Sequence, residues 1–154
     1  MRMLITGMSG TGKSSVLLEL ARRGHRVVDT DSDTWSQWVT AEDGAPDWIW
    51  RENSMLDLLA NHTNGKLFVA GCKTNQGKFY HLFEHVVLLS ASAEVVLSRV
   101  TQRATNPYGK SQRERAEILR NLAVVEPQLR KSATVEIDTT VPLADVVQQL
   151  DELS

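Results

Sequence analysis

Apolar and polar positions alternate along this chain in a repeating order. Short β-type runs lie at residues 3–6, 26–29, 67–70, 86–89 and 134–137. Each is separated from the next by a segment long enough for a crossover helix, and consecutive apolar residues of this kind suit strands covered on both faces. Helical periodicity fills the gaps at residues 14–23, 48–61, 93–103, 113–131 and 143–153. Gly24 closes the first of these, and Ser111 with Glu114 reads as a capping box opening the fourth. The alternation predicts an α/β protein with a five-stranded parallel sheet and helices on both faces, organised as a single domain over 1–154. Residues 30–47 and 105–110 carry no clear period and are expected to face ligand.

Composition narrows the class. Of 154 residues 42% are hydrophobic and the net charge is −2, a globular balance without the basic face that nucleic-acid binders carry. Cys72 is the single cysteine, which rules out a disulfide within the chain and suits a reducing compartment. Residues 1–6 are too short for a signal peptide, and no apolar run approaches the eighteen or so residues of a membrane span. A cytoplasmic protein, monomeric or homodimeric and without a membrane partner, is the expectation.

The strongest chemical signal is Gly7-Met8-Ser9-Gly10-Thr11-Gly12-Lys13-Ser14, which fits G-x-x-x-x-G-K-[ST] directly after the first apolar run. In such a loop the glycines let successive N–H groups point inward at phosphate oxygens, and the following helix adds the positive end of its dipole. Gly7, Ser9, Gly10, Thr11, Gly12, Lys13, Ser14 and Ser15 are thus the expected nucleotide-binding residues. Lys13 would reach the β- and γ-phosphates and the Ser14 hydroxyl would take a position on Mg²⁺.

Asp29-Thr30-Asp31-Ser32-Asp33 follows the second apolar run. Residues spaced by two on an extended chain project to one side, so Asp29 and Asp31 are expected to converge near the γ-phosphate. A phosphoryl-transfer site needs one acid on the metal and another on the accepting hydroxyl. Asp29 is assigned to Mg²⁺ and Asp31 to the acceptor, while Asp33 serves equally well as a turn or capping residue.

The phosphate loop on the first strand, Asp29-x-Asp31 after the second, an arginine-bearing lid and the chain length together resemble the shikimate kinase and adenylate kinase-like branch of P-loop kinases. That resemblance implies a three-layer α/β/α P-loop kinase fold with a short lid near 104–112 and an acceptor-binding segment near 30–62. Trp50-Arg51-Glu52 resembles the branch's substrate-binding Phe-Arg, which makes Arg51 a candidate anchor for the acceptor. Ala70-Gly71-Cys72 stands where shikimate kinases carry Gly-Gly-Gly, and Val125 falls near the place of their later substrate-binding arginine; both departures argue against shikimate. Gly71, Asn75 and Gln76, with Lys73, lie in a loop at a strand's carboxyl end, where doubly wound sheets bind ligands. Arg99 and Arg103, four apart on one helix face, lead into the segment bracketed by Pro107 and Gly109. The resemblance assigns Arg103 to the transferring phosphoryl group and Arg99 to the nucleotide, and has the turn after the last strand contact adenine.

Two other patterns compete for notice. His81-Leu82-Phe83-Glu84-His85 matches H-x-x-E-H, which on a helix would place both imidazoles on one face for zinc; in a chain built around a phosphate loop it reads as coincidence. Trp35, Trp38, Trp48 and Trp50 all fall in one sixteen-residue stretch, suited either to stacking on a planar acceptor or to packing under a flap. The expected protein is an ATP-dependent, Mg²⁺-requiring phosphotransferase acting on a hydroxyl of a small molecule. A nucleotide-binding ATPase or switch without a dedicated acceptor is the second reading, and a nucleic-acid end kinase, disfavoured by charge, is the third.

Overall fold

The structure, a computed structural model, describes residues 1–103 and 107–154. Five strands form a parallel sheet: β1 (Arg2–Thr6), β2 (Arg26–Asp29), β5 (Leu67–Ala70), β6 (His85–Ser90) and β7 (Val135–Asp138), in the order β2-β5-β1-β6-β7. Two further strands, β3 (Ser36–Thr40) and β4 (Pro46–Trp50), form a separate antiparallel hairpin in which Trp38 faces Trp48 across the pair. The chain fills one side of β1 first and then crosses to the other. β1 is therefore the topological switch point, where open α/β sheets leave a crevice at their carboxyl edge.

Strand periodicity places the core. Met3 and Ile5 face one side of the sheet and Leu4 the other, each wholly buried. The first side packs α1 (Lys13–Arg22) and α6 (Leu143–Asp151) through Leu17, Leu20, Val147 and Leu150. The second packs α2 (Glu52–Asn61) and a short 3₁₀ turn, Gln76–Leu82, through Met55, Leu58, Leu59 and Phe79. A smaller cluster of Val96, Val100 and Ile118 joins α3 (Ala93–Gln102) to α4 (Gln112–Val124). These layers match the expected α/β/α sandwich, and four of the five predicted helices begin within a residue of the observed ones.

The structure corrects two expectations. Residues 48–50 are strand, not helix, and α2 begins only at Glu52, because Trp48-Ile49-Trp50 pairs with β3 and Trp50 enters the core. Residues 113–131 do not form one helix. The chain breaks at Val125 into α4 and α5 (Glu126–Ser132), with Pro127 in the first turn of the second, where its missing N–H costs nothing. His81 and His85 share no helical face: His81 lies in the 3₁₀ turn and His85 opens β6, its Nε2 meeting the Ser154 carbonyl at 3.0 Å. Among the described residues no group of three or more His, Cys, Asp or Glu side chains could hold a metal ion. Nor is any described helix long and apolar enough to cross a membrane.

Candidate active site

A cleft of about 720 Å³ opens at the carboxyl edge of the sheet beside β1. Its floor is the loop from Gly7 to Ser15, which turns from β1 into α1. Gly12 caps the helix with φ of 96°, a left-handed conformation that side chains resist, so this glycine lets the loop deliver its amides to the helix N-terminus. Lys13 folds back over the loop and donates from Nζ to the carbonyls of Gly7 at 2.6 Å and Met8 at 3.0 Å. Desolvation by burial lowers its pKa, opposed by the neighbouring Cys72 sulfur and by the carboxylates of Asp29 and Asp31. The lysine is thus a cation held without a carboxylate hydrogen bond, a state from which a phosphate would gain much.

Asp29 and Asp31 both line this cleft, as the sequence leads one to expect, whereas Asp33 does not. Their convergence comes from a tight turn: the Asp31 amide donates to Asp29 Oδ1 at 3.0 Å, while Thr30 between them is fully buried and donates from Oγ1 to the Ala70 carbonyl. Asp31 carries two partners that pattern reading did not supply. Lys73 Nζ lies 3.0 Å and Trp48 Nε1 2.8 Å from its Oδ1. Burial pushes the Asp31 carboxyl up, but the hydrogen bonds and charge of Lys73, with the Trp48 indole, outweigh it and hold the group below the usual aspartate value.

The remaining candidates divide. Gly71 lines the cleft in close packing: a β-carbon there would lie 2.3 Å from Thr30 Oγ1 and 3.1 Å from Trp50 Nε1. Arg51 does not line it. Its Nε donates to the Asp33 carbonyl at 2.8 Å and its Nη1 to Gln37 at 3.3 Å, which fastens the hairpin to the start of α2. Asn75 lies outside the cleft as well, its amide paired with both the N–H and the carbonyl of Trp50 at 3.1 Å. Gln76 is buried and bonded to Thr6, Tyr80 and the Lys73 amide.

Arg99 and Arg103 both line the cleft. Arg99 donates to the Thr139 hydroxyl at 2.8 Å and to the Thr139 and Gly10 carbonyls, tying the turn after β7 to the phosphate loop. Arg103, the C-cap of α3, reaches Ser9 Oγ at 3.4 Å and the Tyr108 carbonyl at 2.8 Å. The first residues of the anticipated lid, 104–106, lie outside the described residues; further along the same 104–112 segment Gly109 and Ser111 donate to Glu114, the latter in the expected capping box. Val141, Leu143 and Val146 supply an apolar end to the cleft beside Thr139. Of the four tryptophans, Trp50 is wholly buried against Phe79, Trp48 holds Asp31, and Trp38 is 66% exposed and packed at a tilt of 48° against Trp48. None of the four lines the cleft.

This geometry can be set beside known proteins. The family model described as an AAA domain matches residues 3–120, which takes in the phosphate loop, both aspartates and α3. The chain belongs to the AAA domain family. Its fold is that of the shikimate kinases: a shikimate kinase from Acinetobacter baumannii, solved in complex with shikimate, superposes with a TM-score of 0.68 over 99% of this chain and 95% of that one, at 18% identity. A gluconokinase from Sinorhizobium meliloti superposes with a TM-score of 0.58 over 96% of this chain and 87% of that one, at 17% identity. A curated relative, an HPr kinase/phosphorylase from Bacillus mycoides, is 66% identical over 29 residues, which is 19% of this chain and 9% of that protein. The matched stretch is therefore a small part of the curated relative's length. At this cleft stand the phosphate loop, Asp29, Asp31, Arg99 and Arg103 that pattern reading named, whereas Trp48 was named only as part of the tryptophan cluster and Asn121, which also lines the cleft, carried no signal in the sequence.

Proposed function

We propose that this protein is an ATP-dependent kinase that transfers the γ-phosphoryl group to a hydroxyl of a small molecule. The observation that carries the reading is that Asp31 and Arg103 line the same phosphate-loop cleft as Lys13. A switch or simple ATPase needs the loop but has no use for a restrained carboxylate facing an open cavity. The kinases of like fold act on shikimate and gluconate, both small hydroxylated molecules, which supports the same reaction class here.

The loop amides and Lys13 would hold the β- and γ-phosphates, and the apolar wall of Val141 and Leu143 would cover the base. Oxygen donors suit Mg²⁺, and the Ser14 hydroxyl and the Asp29 carboxylate, both at the cleft, fit as its holders. When bound, the ion neutralises charge on the phosphate oxygens. The acceptor hydroxyl oxygen forms a bond to the γ-phosphorus, the bond from that phosphorus to the β–γ bridging oxygen breaks, and its electron pair leaves on ADP. The hydroxyl proton passes to Asp31. Lys73 and Trp48 both meet Oδ1 of that carboxylate, so Oδ2 is the oxygen that would receive the acceptor. Its depressed pKa makes Asp31 an orienting group more than a strong base, which suffices where the transition state is loose. Arg103 would then cover the group in flight.

Asp31→Asn is the deciding substitution. Nucleotide binding, followed by calorimetry, should persist, while acceptor-dependent ADP release should fall by on the order of 10²–10⁴. Transfer at the wild-type rate in Asp31→Asn would remove the acceptor role from this residue.

A further inference from the structure

A second cavity of about 520 Å³ adjoins the phosphate cleft and shares Met8, Cys72, Lys73 and Asn121 with it. It runs from Asp31's partner Lys73 towards the break between α4 and α5, and its size suits a single sugar-sized molecule. The charge on its walls is the informative feature. Among the described residues lining it, Lys73 is the one Lys, Arg, His, Asp or Glu, and Lys73 is already ion-paired with Asp31 at 3.0 Å. The other walls are apolar at Met8, Val125 and Leu129 and neutral at Asn121 and Gln128.

Several cations outside its lining have partners of their own. Arg51 is held by Asp33 and Gln37, Lys78 pairs with Glu52 at 3.1 Å, and Arg130 pairs with Glu126 and Glu136. A carboxylate or phosphate entering this cavity would lose water without gaining a cation, and Asp31 would repel it. If it captured Lys73, it would strip Asp31 of its partner and leave the same net charge unmatched. Neutral amides and an apolar wall instead match a molecule whose hydroxyls both donate and accept.

We infer that the acceptor is an uncharged polyhydroxylated molecule, of the class of free sugars, sugar alcohols or nucleosides, seated in this second cavity with one hydroxyl at Asp31. Shikimate and gluconate are carboxylates, so the chain pairs the fold of those enzymes with a preference for an uncharged acceptor. The inference rests on the kinase reading for the fate of the hydroxyl, but the charge preference of the cavity can be read without it.

The test uses matched pairs on the whole protein: glucose against gluconate, ribitol against ribonate, and uridine against uridine monophosphate, with MgATP and ADP release as the signal. The expected result is kcat/KM for a neutral member at least tenfold above its anionic partner. Equal rates or an anionic preference would overturn the inference and leave the kinase reading standing. Should no pair release ADP, binding of the same compounds to protein loaded with a non-hydrolysable ATP analogue is measured by calorimetry. Tenfold tighter binding of neutral members there upholds the cavity assignment while the kinase reading falls; binding of none, or an anionic preference, overturns it. Val125→Arg, checked for folding by its thermal melt, should move the preference at least tenfold towards the carboxylates, and an unchanged preference would remove Val125 from the acceptor wall.

Discussion

Asp31 illustrates how a single side chain acquires its chemistry from neighbours distant in sequence. Its carboxylate is 68% exposed, yet Lys73 and Trp48 fix Oδ1 and hold its pKa below the usual range. Any acid loss of activity due to Asp31 should therefore fall below about pH 4. Lys73→Met removes the hydrogen bond and the charge that favour the ionised form, so the acid limb of the pH–rate profile should move to higher pH. An unmoved limb would mean that another group sets it. Lys13→Ala should lower kcat by on the order of 10²–10³ or more, since the phosphate charge loses the cation that the loop holds ready. Lys13 and Asp31 could be named from motif spacing alone because the chemistry demands those residue types at those offsets. Lys73 stood in the same reading only as a loop residue, for nothing in its spacing announces a carboxylate 42 positions away.

The hairpin is the element that pattern reading missed, and its reason is local. Residues 36–50 alternate tryptophan with polar residues too irregularly to separate strand from helix, and the strand pairing that settles the question is a contact between segments. What anchors the hairpin is Trp50, whose indole donates to Thr30 at 2.9 Å and packs edge-on against Phe79. Trp50→Ala should cost about 3–5 kcal/mol in denaturant unfolding, the usual range for a buried aromatic. Asn75, expected from sequence to touch the acceptor, instead supplies the backbone of Trp50 with a hydrogen bond to each end of its peptide unit. Asn75→Ala should accordingly destabilise by about 1–3 kcal/mol through orphaned buried groups, with little change in KM measured below the melting transition. A large KM effect at unchanged stability would restore Asn75 to the acceptor site. The break of α4 from α5 at Val125 was equally invisible to periodicity, since the apolar positions on either side continue in helical phase.

At the scale of the whole molecule, α6 is tied to the end of α1 through Asp151. Arg23 meets Asp151 at 2.6 Å, and His25 also meets it. Burial raises the Asp151 carboxyl, but the hydrogen bonds of Arg23 and His25 prevail and hold it below the aspartate value. A depressed carboxylate contributes stability above its unfolded pKa and loses it as pH falls through the folded one. Thermal melts of Asp151→Asn should therefore show a lower Tm than the wild type at neutral pH, with the gap closing below about pH 4; a gap constant with pH would assign the loss to packing. The sequence by itself determined the order along the chain of the five strands of the main sheet, the phosphate loop and the pair of aspartates, because apolar period and loop chemistry act over neighbouring residues. Tertiary structure alone decided which partners the cations take. Arg51 is turned into the hairpin, Lys73 neutralises Asp31, and Val125 presents an apolar wall where the second cavity ends. Those facts depend on contacts between segments far apart in the chain, and they set the charge that an acceptor meets.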